Sequence, residues 1–146
     1  MSWQDSIFFE KGEKLVSSWE GNQESVEKRV IYGTTPYVPY KVREIKKLKR
    51  GILALTSQRL LFLEAHGVFG KSYHQTLSIP LAKLGEVSVG GTFIPFVSIA
   101  DDVQNYVFHI DGIRKNEFSE FRRRIMDCCQ KRREELEAEK GKSVLL

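Results

Sequence analysis

Hydrophobic and polar residues alternate along most of the chain, from about residue 12 to about residue 110, in runs separated by turn-forming residues. Alternation with a period of two is typical of β-strands that bury one face. The pattern therefore predicts seven or eight short strands, namely Glu13–Trp19, Glu27–Tyr32, Ile52–Leu55, Leu60–Leu63, Tyr73–Ile79, Leu84–Val89, Phe93–Ile99 and Asn105–Ile110.

Turn-forming residues indicate how these strands are joined. Gly21 and Asn22 predict a turn between the first two strands, and the two prolines of Gly33–Tyr40 predict a loop or an irregular edge. The clearest segment is Gly51–Glu64, in which two apolar runs flank a tight connection at Thr56–Arg59. Both runs are apolar on both faces, which predicts that they lie in the middle of a sheet or at a tightly packed point.

The hydrophobic period becomes helical after Asp111 and Gly112. One apolar stripe with spacings of three and four predicts an amphipathic helix, and it consists of Phe118, Phe121, Ile125 and Cys128 or Cys129. Asn116 is the expected N-cap, and the helix is expected to continue to about Ala138. Residues 131–146 are then a charged helical extension with a frayed end.

Short strands followed by one helix predict a mainly β fold, an antiparallel β-barrel or sandwich capped by a C-terminal α-helix. The length of 146 residues suits one domain, expected over residues 1–130 with its core over about 10–130. The absence of alternating strands and helices in this pattern argues against a parallel nucleotide-binding sheet.

The segment Gly51–Phe62 reads GxLxLTxxRLLF, with Thr56 and Arg59 in the connection. This pattern resembles the strand–turn–strand signature of the pleckstrin-homology-like superfamily, in particular its GRAM, bacterial and archaeal PH, and GLUE branches. Two later segments also resemble these families: Ser78–Leu81 with the strand after it, and the helix around Glu117, Phe118 and Phe121. The resemblance covers about residues 10–130 and implies a PH-like barrel capped by the helix.

PH-like domains include binders of phosphoinositides, peptides and ubiquitin as well as dimerisation modules, so the resemblance implies binding without choosing the ligand. The phosphoinositide pattern places bases across the first hairpin. Here that hairpin is expected at Gly21–Arg29, where Lys28 and Arg29 are the only bases beside two acids. Similarity to GLUE domains of the ESCRT-II complex implies ubiquitin or a trafficking partner as an alternative ligand.

Positive charge is concentrated in residues 41–50, where six bases accompany one acid, while the whole chain has a net charge of +4. If the segment is extended, Lys41, Arg43, Lys47 and Lys49 share one face with Ile45, opposite Val42, Glu44, Lys46 and Leu48. Each base near an anionic leaflet contributes about 1 kcal/mol. The candidate lipid-binding or partner-binding residues are therefore Lys41, Arg43, Lys46, Lys47, Lys49 and Arg50, with Tyr37 and Tyr40 as interfacial contacts.

Two other interpretations of this basic segment remain open. Lysines on an exposed edge strand also prevent sheets from pairing with one another, and such a strand need bind nothing. Exposed strand edges could instead serve a structural oligomerisation domain. The oligomeric state does not follow from the sequence.

No set of residues predicts an enzyme, since no nucleophile can be assigned a base and an orienting partner. Residues 65–72 fit a relaxed phosphate-loop pattern, but Tyr73–Ile79 alternates like a strand where that site requires a helix. Adjacent Cys128 and Cys129 form neither a disulfide nor a metal site. No cofactor or metal is expected.

The sequence thus predicts a non-enzymatic binding module that associates with an anionic membrane surface or with a protein. Nucleic-acid binding is not favoured, because it would need bases interleaved with aromatic residues on a sheet face. No secretory signal or membrane-spanning run is visible, and we expect a cytoplasmic protein with peripheral membrane association.

Overall fold

The computed structural model describes the backbone of residues 2–35, 38–67, 71–91, 95–113 and 117–144, and their side chains except 31, 32, 34, 35, 38–41 and 142–144. Seven antiparallel strands and one long helix make up most of it. The strands are β1 (Leu15–Thr35), β2 (Val38–Thr56), β3 (Arg59–His66), β4 (Ser72–Pro80), β5 (Val87–Gly90), β6 (Phe96–Ala100) and β7 (Asn105–Ile110). The helix α1 spans Phe118–Val144, and short 3-10 helices cover Trp3–Ser6 and Leu81–Lys83.

All seven strands belong to one sheet in the order β4-β3-β2-β1-β7-β6-β5. The sheet curls so that side chains from its two halves meet, as Phe62 of β3 and Phe108 of β7 do at 5.7 Å between ring centroids. This mainly β architecture with a C-terminal helix confirms the predicted fold class and matches a PH-like sandwich.

The first two strands differ most from the prediction. Gly21 and Asn22 lie inside β1 and pair with Gly51 and Arg50 of β2, so the predicted turn at these residues is wrong. β1 is instead one strand of 21 residues that ends at Thr35, and its hairpin partner β2 begins at Val38. The first hairpin therefore does not turn within Gly21–Arg29, where the comparison with phosphoinositide-binding PH domains placed it.

Most of the remaining boundaries lie close to the prediction. The connection between β2 and β3 falls at Thr56–Arg59 as expected, and β4 and β7 cover the predicted segments. Leu84 precedes β5 and does not belong to it, because Leu81–Lys83 forms a short 3-10 helix first. The predicted N-cap Asn116 lies outside the described residues.

The main core lies between the sheet halves and the helix. Its buried members are Leu53, Leu55, Leu60, Phe62, Ile79, Leu81, Leu84, Val87, Val97, Ile99, Phe108, Phe121, Ile125 and Cys129. The predicted helical stripe is confirmed by burial, since Phe121, Ile125 and Cys129 are all among these residues. Trp19 of β1 packs edge-on against Phe121 at 4.6 Å between ring centroids.

A second buried cluster lies on the other side of β2 and β3. Ala54, Leu61 and Leu63 are covered there by Ile7, with Trp3, Leu15 and Tyr73 packed around them. This arrangement explains why both strands are apolar on both faces. It also extends the core to Ile7, before the expected start at about residue 10.

Helix α1 packs on the core through Phe121, Ile125 and Cys129, and two of its arginines bind backbone carbonyls of the sheet side. Arg122 Nε donates to the Val87 carbonyl at 3.1 Å, and Arg133 donates to the Leu84 carbonyl at 2.8 Å. The helix ends at Val144, past the predicted end at about Ala138, and Leu136 of its later turns is half-buried.

Candidate functional site: a projecting two-stranded arm

Part of the β1–β2 hairpin extends beyond the sheet. β1 pairs with β7 only over Gly21–Glu24, and β2 pairs with β3 only over Gly51–Leu55. Beyond Glu24 in β1 and before Gly51 in β2, the two strands pair only with each other. Their pairing reaches Tyr32 with Tyr40 and, after a register shift, Thr35 with Val38. We call residues 25–50 the arm and the rest of the folded chain the body. Neither arm strand has a third strand beside it among the described residues.

The arm leaves the body at a pair of glycines, Gly21 opposite Gly51. A Cβ on Gly51 would lie 2.1 Å from the Leu63 carbonyl oxygen, and one on Gly21 would lie 2.5 Å from that of His109. Neighbouring strands approach β1 and β2 too closely here for a side chain. This close approach accounts for two glycines inside strands, where local preference alone would predict turns.

The strand register divides the predicted basic segment between two faces of the arm. Arg43, Lys47 and Lys49 pair with Arg29, Ser25 and Gln23, and all are odd-numbered residues on one face. Lys46 and Arg50 lie on the opposite face, as the alternation predicts. We call the first the basic face; its charged residues with described side chains are Glu27, Arg29, Arg43, Lys47 and Lys49.

Arg29 is a member of the basic face that the sequence interpretation missed. It lies directly opposite Arg43 in the register, and its side chain is 55% exposed. Like charges directly opposite each other destabilise a strand pair. The signal was present in the sequence as Lys28-Arg29, but an expected turn at Gly21 placed these residues in a different hairpin.

Glu27 is the one acid on the basic face. Its Oε2 lies 2.7 Å from Lys47 Nζ and 3.6 Å from an Arg29 nitrogen. The hydrogen bond from Lys47 lowers the pKa of Glu27 below its ordinary value, so the carboxylate stays charged at neutral pH. At the base of the arm, Lys49 Nζ lies 3.9 Å from Glu64. Four bases against one acid leave this face positive.

Lys46 and Arg50, also predicted to bind, are held by acids on the opposite face. Lys46 Nζ lies 3.4 Å from Glu24, whose other contact is His109 at 3.3 Å. The hydrogen bond with His109 is the largest influence that lowers the pKa of Glu24. These contacts tie the base of the arm to β7.

Arg50 forms a two-pronged ion pair with Asp111, which follows β7. One prong joins Arg50 Nη1 to Asp111 Oδ1 at 2.9 Å, and the other joins Nη2 to Oδ2. The arginine hydrogen bonds lower the pKa of Asp111. The arrangement fits a bracing role for Arg50 between β2 and the β7–α1 connection.

The far end of the arm carries no charge. The eleven residues 30–40 contain three tyrosines and two prolines but no acid or base. Tyr40 and Lys41 hold register positions opposite Tyr32 and Ile31, while their side chains and the whole of Tyr37 lie outside the described part of the structure. The arm thus combines an uncharged end with bases behind it on both strands.

Thr56 and Arg59, two residues of the segment that resembles the PH-like signature, have a structural role in the β2–β3 connection. Thr56 Oγ1 donates to buried Glu13 at 2.6 Å, and Arg59 donates to the same carboxylate at 2.9 and 3.1 Å. Burial would raise the pKa of Glu13, but the hydrogen bonds from Arg59 and Thr56 outweigh it and the pKa is lowered. Glu13, which was not singled out in the sequence, fastens the segment before β1 to this turn.

The phosphate-loop pattern and the cysteines have defined surroundings in the described part of the chain. Lys71 of the phosphate-loop pattern is followed by strand β4, and residues 68–70 lie outside the described part. Burial raises the pKa of the Cys129 thiol to about 11, which leaves it protonated. Within the described residues, no group of three or more His, Cys, Asp or Glu could hold a metal ion. No helix there combines the length and apolar character needed to cross a bilayer.

Comparison with known proteins gives no family assignment: no family model matches the chain, and no curated protein matches it either.

Proposed function

We propose that this chain is a PH-like binding module without enzymatic activity, and that it associates with anionic membrane surfaces through the end and the basic face of its arm. The observation that carries the proposal is the register of the arm. It places Arg29 opposite Arg43 on a solvent-exposed ribbon, directly behind a run of eleven uncharged residues.

The opposed arginines support an anionic ligand. Two guanidinium groups on neighbouring strands repel each other, and the only acid on their face lies closer to Lys47 than to Arg29. An anion between them would remove this repulsion. Positions that break a local stability rule are often functional, because the binding partner supplies the missing interaction.

The uncharged end supports a membrane as the source of that anion. Tyrosine is enriched at the boundary between headgroups and acyl chains, and residues 30–40 supply Tyr32, Tyr37 and Tyr40. An arm that enters this boundary with its end would bring the bases behind it to the level of the lipid phosphates. Bases near an anionic leaflet contribute about 1 kcal/mol each, so the basic face suffices for weak, salt-sensitive association.

Co-sedimentation with vesicles tests the proposal. The full chain is mixed with neutral phosphatidylcholine vesicles or with vesicles that also contain phosphatidylserine, at low and physiological salt. We expect pelleting with the anionic vesicles only, decreasing as salt rises. Arg29→Ser with Arg43→Ser should lower the partition coefficient about 30-fold, the equivalent of two bases at about 1 kcal/mol each.

A charge-matched control separates the effect of the basic face on vesicle binding from the effect of the net charge. Lys28→Ser with Lys46→Ser removes the same charge from the opposite face of the same arm and should change partitioning by less than about threefold. Equal losses in the two double variants would show non-specific attraction. No pelleting of the unmodified chain at low salt would contradict the proposal and favour a protein partner, for which a ubiquitin titration is the next experiment.

A further inference from the structure

The face of the arm opposite the basic face is apolar, exposed and electrically balanced. Val26, Val30, Val42 and Leu48 lie on it with exposed fractions of 56%, 54%, 52% and 61%. Its charged residues are Glu24, Lys28, Glu44, Lys46 and Arg50, and because Arg50 is paired with Asp111 of the body, the remaining two acids and two bases balance. We call this the neutral face. It takes no part in the membrane contact proposed above.

A two-stranded ribbon of this length has little to stabilise it alone. Isolated hairpins are marginally stable in water, and a third strand or a packed face is normally needed. The arm has eight consecutive pairs from Ser25–Lys47 to Tyr32–Tyr40, which extend about 25 Å at the usual rise per residue. Four large apolar side chains on one exposed face are the surface that a covering partner would bury.

We infer that the neutral face is covered by the neutral face of a second copy of this chain, about a two-fold axis that runs along the arm. One cross-strand pair of charges on this face is self-complementary under this rotation. Lys28 and Glu44 are directly opposite in the register, so the rotation places Lys28 of each copy over Glu44 of the other. The same rotation places Val30 over Val42, again twice.

The basic face does not offer this self-complementarity. Its charged residues with described side chains are four bases and one acid, so two copies would repel each other through it. A membrane is less well matched to the neutral face than a protein copy is, since Glu24 and Glu44 would approach the lipid phosphates. In the two-fold arrangement both arms point in the same direction and both basic faces remain outside.

Sedimentation equilibrium without lipid tests the inference, with concentrations from about 1 µM to several hundred µM, the range of small interfaces. We expect a reversible monomer–dimer equilibrium. Val30→Glu with Val42→Glu should raise the dimer dissociation constant at least about tenfold, because unpaired carboxylates would be buried. Arg43→Glu on the basic face is the control and should leave dimer formation intact.

Charge reversal distinguishes contacts between copies from contacts within one. Lys28→Glu leaves two acids at the pair formed by residues 28 and 44, and Glu44→Lys leaves two bases there, so each variant alone should remain monomeric. A mixture of the two should form heterodimers, since the axis brings the acids of one over the bases of the other. If Lys28 and Glu44 interact only across the strands of one chain, mixing the two variants would not restore dimer formation.

Several outcomes would overturn the inference. A monomer at every concentration would do so, as would a dimer that the paired valine substitutions leave unchanged. A monomer whose vesicle binding is lost in the valine double variant would assign the neutral face to the membrane. The proposed function is tested separately through Arg29 and Arg43, so the two ideas can fail independently.

Discussion

The body and the arm are built from the same two strands but are stabilised in opposite ways. In the body, β2 carries Leu53, which is fully buried; five residues earlier, in the arm, it carries Leu48, which is 61% exposed. The body segment has a strand on each side and packed side chains on each face. Among the described strands, the arm segment has a single neighbour, and both of its faces are exposed to solvent.

This difference shows that continuous strand pairing and stability are separate properties. Backbone hydrogen bonds continue along β1 and β2 from body to arm, while the burial that drives folding stops near the paired glycines. Changes confined to the arm are therefore expected to leave the core undisturbed.

The largest expected contrast is between two leucine substitutions on β2. Leu53→Ala should lower the free energy of unfolding by about 2–5 kcal/mol, because it leaves a cavity in a packed core. Leu48→Ala should change it by less than about 0.5 kcal/mol. Urea denaturation of both variants measures the difference. This contrast applies to the dilute monomer, in which Leu48 is exposed; at concentrations where the proposed dimer forms, Leu48→Ala should cost more. Similar losses for both variants in the dilute protein would contradict the exposed position of Leu48.

The next contrast concerns the buried carboxylate that fastens the body. Glu13→Gln should cost about 1.5–3 kcal/mol at neutral pH, because charge-assisted hydrogen bonds from Arg59 are lost. The folded pKa of Glu13 is lowered from 4.5, so its stabilisation is present above about pH 4.5 and is lost as pH falls through the folded pKa. Unfolding at pH 7 and at a series of pH values below 4.5 should show the difference between the two proteins shrinking as the pH falls. A difference that persists undiminished would contradict the ionic role.

The boundary between body and arm can be tested at Gly51. Gly51→Ala should destabilise by about 1–3 kcal/mol, because its methyl group would overlap the Leu63 carbonyl and the Phe62 ring. Gly141→Ala in the exposed part of α1 meets no neighbour within 4 Å and should stabilise slightly. Thermal unfolding of the pair provides the measurement. A neutral Gly51→Ala would show that the strands can separate at the base of the arm.

The smallest expected effect on stability comes from the arm's charges. Arg29→Ser with Arg43→Ser should change the free energy of unfolding by less than about 0.5 kcal/mol and could increase it, because a like-charge pair is removed. The same variant is expected to lose vesicle binding. Chemical denaturation measures the stability of the variant, and co-sedimentation measures its vesicle binding. A large loss of stability would assign these arginines a structural role.

The body was predictable because its strands are defined by burial. The apolar runs Ile52–Leu55 and Leu60–Leu63 and the helical stripe through Phe121 appear in the structure as core. These patterns depend on local periodicity, which a single sequence contains. Glu13 was missed because its partners, Thr56 and Arg59, are more than forty residues away.

The faces of the arm were predictable only in part, because the residues that share a face depend on how β1 pairs with β2. Alternation correctly separated Lys47 from Lys46, but Arg29 joins Arg43 only through the register of β1 with β2. That register could not be read while Gly21 was interpreted as a turn. A glycine required for close approach and a glycine required for a turn look identical in one sequence.

The continuity of the arm with two neighbouring inner strands has a mechanical consequence. A pull on the end of the arm along its axis would not peel an edge strand away one bond at a time. It would load four residue pairs between β1 and β7 and five between β2 and β3 in shear, all at once. A force between the end of the arm and the body would therefore have to shear these inner-strand pairs together before the two parts could separate.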